Sequence, residues 1–403
     1  MAELENAMLT LAAISYCGYN LTLPEPVKSA HLRQKMTKLL NTLSPVKGQW
    51  DILWGPATFS AASPGFDDAA MYIARKLPFE LQPPTYAIVV RGTNPISLTD
   101  WIFGDLMVAR QVEWAYGKDT GGAKISLSTA LGLQVLQHLR WEEGTSMVAA
   151  EQQGTIPDSA EAWTHAIRAR LLSESVTGIL QGLEEKLRPL AGANFDASSL
   201  VRRFEGHTSS PGSDLRSFLK QQVASSPGAV EIFVTGHSKG GALSSTLALW
   251  LADTQGTDVP PDDQWDPAGK ATISAYSFAG PTAGNKAFAE HSTAVLKQRL
   301  HRIVNTKDVV PYAWSADTLK LVPMLYRLPD FEQLALQRLV ARIVRAVEPL
   351  GYCQPGDATR MDPNELPDRP LLAQLIHQHL DGYFEEMGLI GEMNLATFFK
   401  PVI

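Results

Sequence analysis

The sequence predicts an α/β protein: a mostly parallel central sheet with helices on both faces, plus helical insertions. Three observations carry that expectation. The short apolar run Ile232-Phe233-Val234, rich in strand formers, enters the turn Gly236-His237-Ser238-Lys239-Gly240-Gly241, and a helix-forming stretch from Ala242 to Trp250 follows. Strand-like runs at 272–278 and 301–304 repeat the pattern of strand, polar or glycine-bearing loop, then helix or loop. The chain has 403 residues, 45% hydrophobic and 19% charged, which suits one large domain spanning 1–403.

The elements follow in order. Residues 3–20 and 26–43 read as helices; the second has Pro24 and Pro26 near its start and apolar Val27, Leu32, Met36, Leu39 and Leu40. Together, as 1–45, they are expected to cover the edge of the domain. A strand at 51–54 precedes two more, 69–75 and 85–90, which form a hairpin around a Pro-rich loop. The last of these runs into Arg91-Gly92-Thr93 and then an apolar loop with Ile96, Leu98, Trp101, Ile102 and Phe103, a candidate lid over 94–114. A helix is expected over 124–141. From 141 to 205 the chain changes character, and Trp163, Ile167, Leu171 and Ile179 fall near a helical period. This helical insertion reads as a cap, an interaction arm or plain flank packing. Residues 215–224 lead as a helix into the strand before Ser238. After a Pro/Asp-rich loop over 256–269 come the strand 272–278, a helix from Ala287 and the strand 301–304. A second insertion is expected over 313–370, with an amphipathic helix carrying Phe331, Leu334, Leu339, Val340, Ile343 and Val347.

The chemistry starts at Ser238. A serine between glycines, strand before and helix after, has the form of a nucleophile elbow, G-x-S-x-G. Bulky side chains two residues away on either side would collide with the strand and helix that flank the turn. The backbone N–H of Lys239 would then point at the space above the serine and serve an oxyanion. No GxxxxGK[ST] spacing exists, so a phosphate loop is excluded. A serine hydroxyl needs a general base, and the base needs an orienting carboxylate. The chain order for such an elbow is serine, acid, histidine. Asp308 follows the strand 301–304, where ligand and catalytic groups gather in open α/β sheets. Of the histidines after the elbow, His291 lies on a helix and His301 precedes Asp308; His377 and His379 remain. Thr93, at the end of a strand, supplies a hydroxyl and an N–H for a second oxyanion donor, or else simply caps the strand before a buried helix.

Several separate segments resemble the class 3, fungal-type lipase family of α/β-hydrolases. They are VVRGT at 89–93, DWIFGDL at 100–106, VTGHSKGGALS around Ser238, SFAGPTAGN at 277–285, RIVNTKDVVP at 302–311 and HLDGYF at 379–384. The resemblance implies an α/β-hydrolase fold, a catalytic set of Ser238, Asp308 and His379, and an oxyanion hole of Thr93 and Lys239. The His-x-x-x-Tyr ending selects His379 over His377. The implied activity is carboxylic-ester hydrolysis through an acyl-enzyme, on acylglycerols, without metal or cofactor. A phospholipase A1 or a short- to medium-chain esterase would use the same residues, and a non-catalytic binding protein of the same fold is the reading from another class. Four departures bear on substrate preference: Lys239 stands where an apolar residue is usual, Val90 replaces a phenylalanine, Thr282-Ala283 replaces Arg-Val, and the helical insertion at 141–205 is longer than the family needs.

Composition bounds the rest. A net charge of −7 implies no broad attraction to nucleic acid. Two cysteines, Cys17 and Cys353, exclude a disulfide framework and read as buried free thiols. Glu3 and Glu5 stand where a secretory leader would be basic, and no apolar run of about 18 residues exists to span a membrane. The expected compartment is the cytoplasm, with export by a non-standard route compatible with it. The expected partner is a greasy ester, at a lipid–water interface if the lid reading holds.

Overall fold

The structure, a computed structural model, describes residues 3–17, 27–59, 69–77, 83–92, 106–142, 212–366 and 371–389. Thr93, most of the candidate lid (94–105) and the helical insertion from 143 to 205 lie outside the described residues.

In chain order the elements begin with α1 (Glu3–Ile14), α2 (Val27–Leu40), β1 (Trp50–Phe59), β2 (Ala69–Lys76), β3 (Thr85–Val90), β4 (Gln111–Glu113) and β5 (Lys124–Ser126). Next come α3 (Leu127–His138), β6 (Arg140–Trp141), β7 (Ser213–Asp214), α4 (Leu215–Ser225), β8 (Val230–His237), α5 (Lys239–Asp253), β9 (Ala271–Phe278) and β10 (Gly284–Asn285). The rest are α6 (Lys286–Leu296), β11 (Leu300–Asn305), α7 (Ala316–Leu319), α8 (Asp330–Val347), β12 (Tyr352–Cys353), β13 (Ala358–Met361), α9 (Leu371–His379) and α10 (Asp381–Glu386).

A seven-stranded sheet, ordered β1-β2-β3-β8-β9-β11-β13, organises these elements. The pairs from β3 onward are parallel, and β1-β2-β3 is an antiparallel meander. The central strands are mostly buried because both faces are covered; all six residues of β3 are buried. Alternate residues feed opposite cores. Ile88 and Val90 join Ile232, Val234, Leu247 and Trp250 on one face. Ala87 and Val89 join Met8, Leu11, Met36 and Tyr383 on the other. Helices start where a side chain can accept from their free N–H groups. Ser126 caps α3 through Thr129 N (3.0 Å), Asp214 caps α4 through Ser217 N (2.8 Å) and Asn285 caps α6 through Phe288 N (2.9 Å).

Four expectations change. The N-terminal helices are not both edge cover: α2 lies on the edge strand β1, but α1 sits on β8 at the middle of the sheet. Thr235 Oγ1 donates to Met8 O (3.1 Å) and Tyr72 Oη to Leu11 O (2.7 Å), so the apolar run of α1 is core. The helix expected over 124–141 is a strand, a helix and a second short strand, because Ser126 ends β5 and caps α3. The region 313–370 is not wholly an insertion, since β13 extends the main sheet beside β11 and β12 pairs with β10. The end of the candidate lid forms β4, paired antiparallel with β5. Both cysteines are free thiols, with Cys17 buried and Cys353 only half-buried. No described helix is long and apolar enough to cross a membrane.

Candidate active site

The elbow forms as β8 gives way to α5. Ser238 has φ 63° and ψ −132°, an unfavourable conformation for a residue with a side chain. Close backbone packing holds it there. A Cβ on Gly240 would stand 2.5 Å from Val90 O and 2.8 Å from Gly92 N, and one on Gly236 would meet the Gly240 carbonyl. Only bare backbone lets β3, β8 and α5 converge at this point. Ser238 N donates to Phe278 O (2.9 Å), fixing the turn to β9. Lys239 is the first residue of α5, where backbone N–H groups have no acceptor within their own helix.

Asp308 lies just past β11, fully buried. Its Oδ2 accepts from His379 Nδ1 at 2.8 Å and from Tyr383 Oη at 3.0 Å, and its Oδ1 accepts from Val310 N at 3.0 Å. Three donors thus fix the orientation of the carboxylate. Tyr383 Oη also accepts from Asn305 N (3.0 Å), so the phenol bridges the end of β11 and the aspartate. Burial, and next the Asp308 charge, push the Tyr383 hydroxyl well above its ordinary range, so it stays a donor.

His379 is the last residue of α9 and is 1% exposed. His237, next to Ser238, brings it to the elbow: His237 Nε2 donates to His379 O at 2.8 Å, and the two rings lie 4.6 Å apart between centroids. Ser238 Oγ and His379 Nε2 are both buried, and neither has a hydrogen-bond partner among the described residues. These are the two atoms that a nucleophile and its base would join. His377 turns away, its Nε2 3.3 Å from Glu385 Oε2. His291 pairs instead with Asp253 (2.9 Å), and His301 stacks on Tyr276.

The structure thus brings Ser238, Lys239, Asp308 and His379 to one place; Thr93 lies outside the described residues, although its neighbour Gly92 packs against Gly240. The Lys239 side chain is half-exposed and borders a recess of about 10 Å³ beside the elbow, room for about one water. Ser126, Ser128, Thr129 and Thr282 line the same recess. Thr282 Oγ1 is buried there without a partner among the described residues.

Sequence reasoning missed Tyr383, although the His-x-x-x-Tyr spacing that selected His379 contained it. Tyr16 and His237 also escaped notice: their contacts join residues 221 positions apart, and no local pattern announces such a pair.

The α8 region packs around these loops. Leu336, Leu339, Val340 and Ile343 share a core with Val309 and Val310, which follow Asp308, and with Leu371 and Leu375 of α9. The outer side leaves Met324 and Phe331 exposed at 70% and 63%.

The chain is similar to several known proteins. The class 3 lipase family model matches residues 173–317. The crystal structure of M37 lipase is similar over 98% of this chain and 96% of its own, at 28% identity and a TM-score of 0.71. A mutant of MDLA from Penicillium cyclopium is 15% identical, covering 92% of this chain and 83% of its own, with a TM-score of 0.41. Lip2 lipase from Yarrowia lipolytica is 12% identical over 92% and 81%, with a TM-score of 0.34.

Proposed function

We propose that this chain, a carboxylic-ester hydrolase of α/β-hydrolase fold similar to the class 3 lipases, hydrolyses acylglycerols through an acyl-enzyme on Ser238, His379 and Asp308. The observation that carries this reading is the buried Asp308–His379 pair, 2.8 Å apart, next to an elbow serine held at positive φ. Ser238 Oγ attacks the ester carbonyl while His379 Nε2 takes its proton. The tetrahedral oxyanion is held by the Lys239 N–H and by Thr93, each donor contributing about 3 kcal/mol. The intermediate collapses, the C–O bond to the alcohol breaks, and His379 returns the proton to the leaving oxygen. A water, deprotonated by His379, then splits the acyl–serine bond and releases the carboxylic acid. Asp308 holds His379 in the Nδ1–H tautomer and stabilises its cation, and Tyr383 and Val310 N–H hold Asp308.

The apolar residues of 94–105 and the exposed Met324 and Phe331 support a lipid-facing substrate. The test is hydrolysis of one ester across its solubility limit, with a serine-reactive fluorophosphonate as a stoichiometric label. Labelling at Ser238 with a rate increase above the limit is the expected result. Equal rates on either side would remove the lipid-surface part of the reading, and absence of labelling would revive a non-catalytic binding role.

One observation favours a second reading, phospholipase A1 activity. Among the described residues Lys239 has no acidic partner, and the recess that it borders mixes the hydroxyl residues Ser126, Ser128, Thr129 and Thr282 with apolar ones and contains no carboxylate. The recess itself has room only for about one water, so a phosphate ester would meet the Lys239 cation at its rim. Competition between phosphatidylcholine and a triacylglycerol in one emulsion separates the two readings.

A further inference from the structure

We infer that Tyr16 and His237 form a clamp that holds the three loops of the candidate active site in register, acting as positioning residues for the reaction. The inference rests on the serine-hydrolase reading above. The three loops are far apart in sequence: the turn at Gly92, the elbow at Ser238 and the end of α9 at His379. A side chain from the segment just after α1 reaches all of them through one relay.

The Tyr16 hydroxyl is buried between the first two loops. It donates to His237 O at 3.2 Å, with His237 Nδ1 at 3.5 Å, and the Gly92 backbone packs directly against it. The fit is close enough that a Cβ on Gly92 would stand 2.5 Å from His237 O and 2.6 Å from the Tyr16 hydroxyl. Burial raises the Tyr16 hydroxyl far above its ordinary range despite the nearby Arg91, so it remains a neutral donor.

His237 carries the relay onward. Its Nε2 donates to the carbonyl of His379, which ends α9 and therefore has no acceptor duty within the helix. Donation from Nε2 leaves Nδ1 unprotonated in the neutral ring, facing the Tyr16 hydroxyl. Burial, and then the facing His379, hold His237 well below its ordinary titration range, which keeps it in that neutral form. Tyr383 closes the other side, its ring edge-on to His237 at 5.6 Å. The backbone of His379 is thus tethered to the residue preceding Ser238, and the imidazole of His379 has only its side-chain torsions left to vary. Displacement of such a group by about 1 Å costs on the order of 100-fold in rate.

The test uses Tyr16→Phe, His237→Leu and His237→Gln in the full chain, with Ser238→Ala alongside. Gln carries an N–H at the reach of Nε2, while Leu carries none. Expected are a fall in kcat of about 10- to 100-fold for Tyr16→Phe and His237→Leu with KM changed by less than about threefold, and an equal fall in the fluorophosphonate labelling rate. His237→Gln recovers about tenfold of the loss relative to His237→Leu. Thermal melting confirms that each variant compared is folded. If Tyr16→Phe does not fold, the contrast between Gln and Leu at 237 decides alone. Rates within about threefold of the parent for both Tyr16→Phe and His237→Leu, or Gln no better than Leu, overturn the clamp. Failure of the underlying reading looks different: the parent itself is then unlabelled, and Ser238→Ala keeps full activity.

Discussion

Tyr383 donates its hydroxyl hydrogen to the same carboxylate oxygen of Asp308 that accepts from His379, at 3.0 Å against 2.8 Å. One oxygen therefore takes two donors, while the other takes the Val310 N–H. Removing the phenol hydroxyl frees Asp308 to tilt and leaves the buried Asn305 N–H without its acceptor. In Tyr383→Phe, kcat is expected to fall about tenfold and stability by about 1–3 kcal/mol. Steady-state kinetics and urea unfolding on one preparation check both; a loss of stability with kcat unchanged would make Tyr383 a purely structural bridge.

Replacement of Ser238 by alanine is expected to lower turnover by at least about 10⁴-fold and abolish fluorophosphonate labelling. Stability holds or rises by up to about 1 kcal/mol, because the hydroxyl removed is buried and has no partner among the described residues. Differential scanning calorimetry beside an ester assay reads both quantities.

The two histidines of α9 separate by substitution. His377 contacts Glu385 near the surface, whereas His379 contacts Asp308 in the interior. His379→Ala is expected to lose activity about as severely as Ser238→Ala, while His377→Ala stays within about threefold of the parent. Equal inactivation by both would remove the choice of base.

Acid should destabilise the fold through His237. Its folded-state titration lies well below the 6.5 of an exposed histidine, burial being the largest cause and His379 the next. Below about pH 6.5 the unfolded chain binds a proton that the folded chain refuses, so stability present above that pH is lost as pH falls. Each unit costs up to about 1.4 kcal/mol until the folded group itself titrates. The half-buried His31 and His301, lowered mainly by burial, add losses of the same sign. Urea unfolding at pH 8 and pH 5.5 should show a smaller loss for His237→Gln than for the parent. Parallel losses would mean that His237 is not the group responsible.

Gly240→Ala tests the elbow's steric argument. The new methyl would stand 2.5 Å from Val90 O, a backbone atom of the neighbouring strand that cannot swing aside. A loss of about 1–3 kcal/mol is expected, with activity falling as the serine turn shifts. Unchanged melting would show that the three backbones have slack where the geometry leaves none.

Glycine spacing made the elbow legible, because backbone convergence around a strained serine leaves few residue types that fit. Asp308 and His379 were legible from chain order and short surrounding motifs. The Tyr16 contacts were not, because a tyrosine after one helix gives no sign of the loop that it will meet 221 residues on. Edge and centre were also confused. The near-continuous apolar run of α1 signals burial on all sides, and eight of its residues from Ala7 to Ile14 are buried, but the expectation of an edge position did not weigh it. The strand β13 escaped because Ala358–Met361, with two exposed residues out of four, lacks the apolar run of a central parallel strand.

The seat of α1 has a consequence for biosynthesis. Its carbonyl at Met8 waits for Thr235, 227 residues downstream, and Asn6 reaches Met387 across 381. At ribosomal speeds of about 5–20 residues per second, the greasy first helix stays uncovered for on the order of 10 s or longer, a natural client for chaperones. Its docking also delivers Tyr16 to the elbow and depends on the last helices to arrive. Ester turnover should therefore be the last property a nascent or refolding chain acquires, well after its fluorescence and circular dichroism have settled, which makes catalysis a clock for the completion of folding.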